Sequence, residues 1–147
     1  MNLERYPYFA SNDFKDYEFY SDGPKGRIRK VIMYTKIQDN PAMYNLSFGD
    51  ADVETGIVYD DVISNNQDRD TVLATVANTI NEFCDHYGNH WIFATGSTQS
   101  RTRLYQMGIA RLWREINIDF DVYGEKNGKW QPFHMGVNYD AFLVKRR

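Results

Sequence analysis

One cysteine, Cys84, is present in 147 residues, so no internal disulfide can form and the chain suits a reducing compartment. A strong excess of charge is also missing. Lys and Arg number 17 against 20 Asp and Glu, giving a net charge of -3, which argues against a general nucleic-acid or membrane-surface binder and leaves room only for local patches. No run approaches the length of apolar sequence that spans a membrane, and residues 1–7 lack the basic-then-apolar order of a secretory signal. These absences predict a soluble cytoplasmic protein with no membrane association. Internal repeats, low-complexity tracts, linkers and complete catalytic or metal motifs are absent as well.

What is present is an ordinary globular balance, 42% hydrophobic and 25% charged, with aromatics high at 16% and tyrosine leading at 11 residues. A chain of this length fits one domain, 1–147, and buries roughly 70% of the surface it exposes when unfolded.

Short β-branched and aromatic runs with turn signals between them predict strands over 17–21, 27–37, 44–48 and 57–63, the first two forming a hairpin, with the segment up to residue 13 irregular. From Arg69 the apolar residues Val72, Leu73, Val76, Ile80 and Phe83 fall at helical spacing, and Gly88 ends the helix. A strand over 91–95 follows, parallel to the fourth strand through a crossover. A second helix, divided at Gly108, leads to a hairpin over 118–133 and a last strand over 138–144 with a basic tail. The fold class is therefore α+β: a mixed, mostly antiparallel sheet with two main helices packed on it, in the order ββββ-α-β-α-ββ.

Two strand-to-helix turns carry the functional signal. Gly96, Ser97 and Thr98 precede Arg101, Arg103 and Tyr105, so free N–H groups at a helix start and two guanidinium groups converge on a place for an anion. The same residues also fit a helix start capped by Ser97 or Thr98, with both arginines solvated. Asn65, Asn66 and Arg69 lie in the other turn, and parallel neighbouring strands would open both turns onto one crevice. Capping by Asn66 or Asp68 is again the plainer reading. The ligand-binding candidates are thus Asn65, Asn66, Arg69, Gly96, Ser97, Thr98, Arg101, Arg103 and Tyr105. No metal is expected: His86 and His90 are separated by a helix end, and no Cys pair or Glu spacing accompanies them. Lys25, Arg27, Arg29 and Lys30, joined by Lys145, Arg146 and Arg147, could form a basic stripe, better read as a charge-protected edge than as a nucleic-acid surface.

Four segments, Tyr-Asn-Leu-x-Phe-Gly-Asp at 44–50, Ser-Asn-Asn-x-Asp-Arg at 64–69, Gly-Ser-Thr-x-x-Arg-Thr-Arg-Leu-Tyr at 96–105 and Val-Asn-Tyr-x-Ala-Phe-Leu-Val-Lys-Arg at 137–146, carry a resemblance. Across nearly its whole length the chain resembles an uncharacterised bacterial family of similar size, which implies no activity. More remotely, residues 91–109 look like the late strand-helix unit of acyl-CoA N-acetyltransferases. That resemblance implies an acyl-CoA cofactor with its pyrophosphate at the start of the earlier helix, yet residues 66–73 contain no glycine to admit one.

Three functions follow as expectations. The first is binding of an anionic or nucleotide-like ligand at the crevice between the two turns, as a degenerate acyltransferase-like fold. The second is a protein-interaction module, a homodimer or one member of a toxin–antitoxin or phage-defence pair, suggested by the tyrosine and arginine content. In the third, an enzyme of unrecognised chemistry, Tyr105, Asp70 and His90 would be the acid–base groups.

Overall fold

The computed structural model describes residues 3–51, 58–59 and 66–147. Its strands are β1 (Tyr8–Ala10), β2 (Asp16–Gly23), β3 (Gly26–Asp39), β4 (Ala42–Ala51), β5 (Val58–Tyr59), β6 (Trp91–Ala94), β7 (Phe120–Lys126), β8 (Lys129–Pro132) and β9 (Ala141–Arg146). The helices are α1 (Arg69–Tyr87), α2 (Gln99–Arg111) and α3 (Trp113–Asp119). The fold is α+β, with one sheet in the order β1-β2-β3-β4-β6-β9-β7-β8 and β5 pairing with β4 off that path. Among the described residues no helix is long and apolar enough to cross a membrane.

Alternation along the strands decides which face is the core. Tyr17 and Phe19 on β2, Ile32 and Tyr34 on β3, Tyr44 and Leu46 on β4 and Ile92 on β6 are all buried, and their neighbours in sequence point to the other face. Phe83 from α1 lies flat on Tyr34, with ring centroids 4.3 Å apart, and edge-on to Tyr44 at 4.8 Å. The Tyr34 hydroxyl meets Thr79 Oγ1 at 2.9 Å, so its one polar atom is satisfied in the core. Burial, acting before any charge, drives the Tyr34 phenol far above its ordinary ionisation range.

Several local expectations are corrected. The opening segment is not wholly irregular, because Tyr8–Ala10 adds a short strand to the edge of β2. Of the strand expected over 57–63, only Val58–Tyr59 falls within the described residues, and it runs antiparallel to β4. The parallel partner of β6 is consequently β4 itself, through Met43, Tyr44 and Asn45, and not the strand after it. Gly108 does not divide the second helix. A Cβ there would lie 2.9 Å from Leu73 Cδ2, so glycine lets α2 approach α1, and the break falls at Leu112, which leaves helical angles. The last strand begins at Ala141, three residues later than expected, and slots between β6 and β7, antiparallel to both. Its basic end is not a free tail: Arg146 bonds Asp85 at 2.7 Å and Arg147 bonds Asp121 at 3.0 Å. Two strands, β4 and β6, separate it from β3, so the basic residues form no continuous stripe.

The edge of β4 away from β3 pairs with β6 only at residues 43–45 and with β5 only at 50–51. Between those points, among the described residues, Leu46 to Gly49 has no strand partner on that edge. Leu46 and Phe48 face the helices there and line the cavity described next.

Candidate functional site

The turn after β6 is a capped helix start. Thr98 Oγ1 accepts from Arg101 N–H at 3.2 Å, Thr98 C=O accepts from Thr102 N–H, and Thr102 Oγ1 accepts from Gly96 N–H at 2.9 Å. Gly96 is required by close approach, because a Cβ would sit 2.5 Å from Thr102 N. Arg101 turns inward and is 5% exposed, with Nη2 3.4 Å from the Tyr105 hydroxyl one helical turn on. Arg103 points the other way and is exposed.

The start of α1 is built differently. Asp68 occupies the cap position without a side-chain cap bond. Its Oδ2 instead accepts from Ser21 Oγ at 2.5 Å and from the Tyr6 hydroxyl at 2.6 Å, tying the helix to β2 and the N-terminal segment. Burial first, then the Asp68 carboxylate, pushes the Tyr6 phenol above its ordinary value. Asn66 is 3% exposed, and its amide is fully engaged: Nδ2 donates to Ser21 Oγ at 3.1 Å and Gly26 C=O at 2.9 Å, and Oδ1 accepts from Lys25 N–H at 2.7 Å. Asn66 thus holds the β2–β3 hairpin against the start of α1.

Between these helices and the sheet lies a cavity of about 210 Å³. Val72, Leu73 and Val76 of α1 form one wall, Leu104 and Ile109 of α2 another, and Leu46 and Phe48 of β4 line the sheet side. Phe120, Phe142 and Val122, all buried, close the far end. Polar groups in the lining are mostly cations: Lys30, Arg69, Arg101 and Arg111, with Asp68, Thr95 and Tyr105. Lys30 is buried and pairs with Asp50 at 2.5 Å, its Nζ lying 5.8 Å from the Phe48 ring centroid. The Tyr105 ring meets the same Phe48 from α2, with centroids 6.4 Å apart. Arg111 pairs with Asp70 at 2.7 Å. The site can therefore offer positive charge and a phenol hydroxyl beside apolar walls.

Of the sequence candidates, Arg69, Arg101 and Tyr105 line this cavity. Gly96, Ser97 and Thr98 shape the turn beside it, Arg103 and Asn66 lie outside it, and Asn65 falls outside the described residues. The two helix starts are not side by side. The Arg111–Asp70 pair joins the first turn of α1 to the last turn of α2, about 15 Å along the α2 axis from Arg101. Nor do the acid–base candidates converge: Asp70 begins α1, whereas His90 lies beyond its end, bonded to Tyr87 C=O at 2.7 Å. His86 stacks on Phe14 with centroids 3.6 Å apart, and Cys84 is buried, its thiol pushed up by that burial. Lys30 and Arg111 were not among the candidates. Lys30 shares the inward register of Ile32 and Tyr34, a period-of-two signal that separates it from outward-facing Arg29.

No curated protein and no solved structure matches the chain. Residues 2–147 match DUF6934, a family of unknown function, and the chain belongs to that family.

Proposed function

We propose that this domain binds an anionic small molecule in the cavity between α1, α2 and the sheet. The observation that carries the reading is the clustering of Lys30, Arg69, Arg101 and Arg111 around a cavity of about 210 Å³. Charges beside apolar walls interact more strongly than in water, so an anion seated there gains more than it would on an open surface. A degenerate acyltransferase-like architecture is consistent with the short parallel pairing of β4 and β6, although the start of α1 has no glycine for a cofactor pyrophosphate. Thermal shift with phosphates, nucleotides and acyl-CoAs tests the proposal. A ligand at a hundred times its Kd should stabilise the wild type by about 2.7 kcal/mol. Arg101→Ala should lose that stabilisation, and Arg103→Ala, outside the cavity, should keep it. Equal loss in both variants, or no stabilising anion at all, would overturn the reading.

A second reading, a protein-interaction module, draws on the other face of the sheet. Trp91 and Phe93 flank the buried Ile92, so both point away from the helices, and they meet Tyr123 and Trp130 edge-on at 5.5 and 6.2 Å. Trp130 is exposed and the other three are half-buried, and large aromatics at a sheet surface are characteristic of interfaces. Sedimentation velocity over a concentration series tests the homodimer form: Trp91→Lys with Trp130→Lys should abolish self-association, and a wild type monomeric throughout would dismiss it.

A further inference from the structure

We infer that the partner on the sheet face away from the helices is a second copy of this chain, packed face to face with its strands reversed, so that Lys145 of each copy meets Glu125 of the other. This rests on the interaction-module reading and adds which partner the face takes and in what register. Strand register lays out the face. On β9, Phe142 and Val144 line the cavity on the helix side, which leaves Leu143 and Lys145 on the outer side. Opposite them on β7 stand Tyr123 and Asp121, and Glu125 follows beside Ala141 and Trp130. With Trp91 and Phe93 of β6, these form a patch that is apolar in the middle and charged at each end. Lys145 holds its Nζ 5.4 Å from the Trp91 ring centroid at one end, and Glu125 lies at the other, about 13 Å along the strands. Both side chains are half-buried, and neither belongs to an ion pair among the described residues.

Charge decides which occupant fits. A half-buried charge that a partner covers must meet a counter-charge, because desolvating it unpaired opposes binding. A purely apolar partner would strand both charges, and nucleic acid would set phosphates against Glu125 and Asp121. The partner must instead carry an anion and a cation about 13 Å apart across an apolar strip, in reverse order. This chain carries that pattern itself. A two-fold axis lying across the strands at the Leu143–Tyr123 row reverses one copy on the other and brings each Lys145 over the Ala141–Glu125 row of its counterpart. The contacts then come in identical pairs, as a closed dimer requires. Asp121, in the Lys145 row, is already neutralised by Arg147 at 3.0 Å. Size sets the strength. Four strands at about 4.8 Å spacing and the six residues of β9 cover about 400 Å², below the roughly 800 Å² per partner of a standard interface, so the Kd is on the order of micromolar.

Sedimentation velocity of the full chain, carried to about 200 µM because an interface of this size is weak, tests the register by charge exchange. Lys145→Glu alone and Glu125→Lys alone each set two pairs of like charges in the dimer and should weaken self-association by about tenfold or more. Mixed in equal amounts, the two variants form a heterodimer in which both pairs are opposite again, and its affinity should return to within about threefold of the wild type. Such rescue rules out misfolding as the cause, since two damaged chains would not restore each other. If Trp91→Lys with Trp130→Lys abolishes association, but the charge variants associate as the wild type does or their mixture stays monomeric, the face stands as an interface and this packing fails. If the wild type is monomeric at every concentration, both fall.

Discussion

Filling the cavity from within gives the sharpest test of its existence. Ala77 sits on α1, is 6% exposed and lines the cavity wall. Ala77→Leu adds three carbons, which at about 30 Å³ each take up less than half of the 210 Å³. At about 0.8 kcal/mol per buried methylene the gross gain is about 2.4 kcal/mol. Ordering the leucine side chain offsets roughly 0.5–1 kcal/mol, and the change in helix propensity is small because leucine ranks next to alanine. The expected net effect is stabilisation by about 1.5 kcal/mol, a rise in Tm of about 3–6 °C for a domain of this size. Urea unfolding at equilibrium, followed by circular dichroism, measures it, and any anion that stabilises the wild type in the thermal-shift test should stabilise this variant less. Destabilisation by 1–3 kcal/mol would be the signature of overpacking. That result would mean the space between α1, α2 and the sheet is closed in solution, and the argument for a ligand there would collapse.

Other expectations follow from single contacts. Gly96→Ala drives a Cβ to within 2.5 Å of Thr102 N and should cost about 1–3 kcal/mol in urea unfolding, more than the roughly 1 kcal/mol expected when Thr98→Ala removes the cap; the reverse ranking would contradict the geometry of the turn. Lys30→Met leaves Asp50 largely buried without its cation and should cost about 3–5 kcal/mol, and Lys30→Met with Asp50→Leu should recover most of that; additive losses in the double variant would show that the pair is not coupled. Tyr17 and Tyr34 have phenols raised by burial, so the folded state keeps them neutral where the unfolded chain ionises them. Their contribution to stability is fully present below the unfolded value near 10 and is lost as pH rises above it toward the folded values, so urea midpoints should fall steeply from pH 10 upward. Ultraviolet titration should show two tyrosines that ionise only with unfolding, and ordinary titration of every tyrosine in the folded protein would refute this.

Much of the fold was legible because local pattern and tertiary packing agree. The β2–β3 hairpin, the span of α1 and the hairpin of β7 and β8 each carry a period and a stop signal that the structure keeps. Strand partners were less legible, since they depend on edges. The Lys30 to Asp50 and Arg29 to Ala51 pairing places β3 along one edge of β4, so β5 must take the other, and β6 then reaches β4 only at residues 43–45. No window of sequence contains that competition for an edge. Gly108 misled for a related reason, as its role is set by Leu73, 35 positions away.

The candidate site was half legible, and the two halves differ in physical kind. Arg101 and Tyr105 follow a turn whose residues signal a helix start, so their position could be read locally. The cavity could not, yet its trace was present in α1. Ala74, Ala77, Ile80, Phe83 and Cys84 already give that helix a buried stripe, which leaves Val72, Leu73 and Val76, only half-buried, as apolar residues beyond what one face against the sheet requires. A helix with apolar residues on a second side must cover them with something. Here Gly108 of α2 meets Leu73 at one point, and the cavity adjoins all three side chains. Apolar residues in excess of a single stripe, rather than the glycine and arginines of the turn, were the part of the sequence that pointed to the cavity.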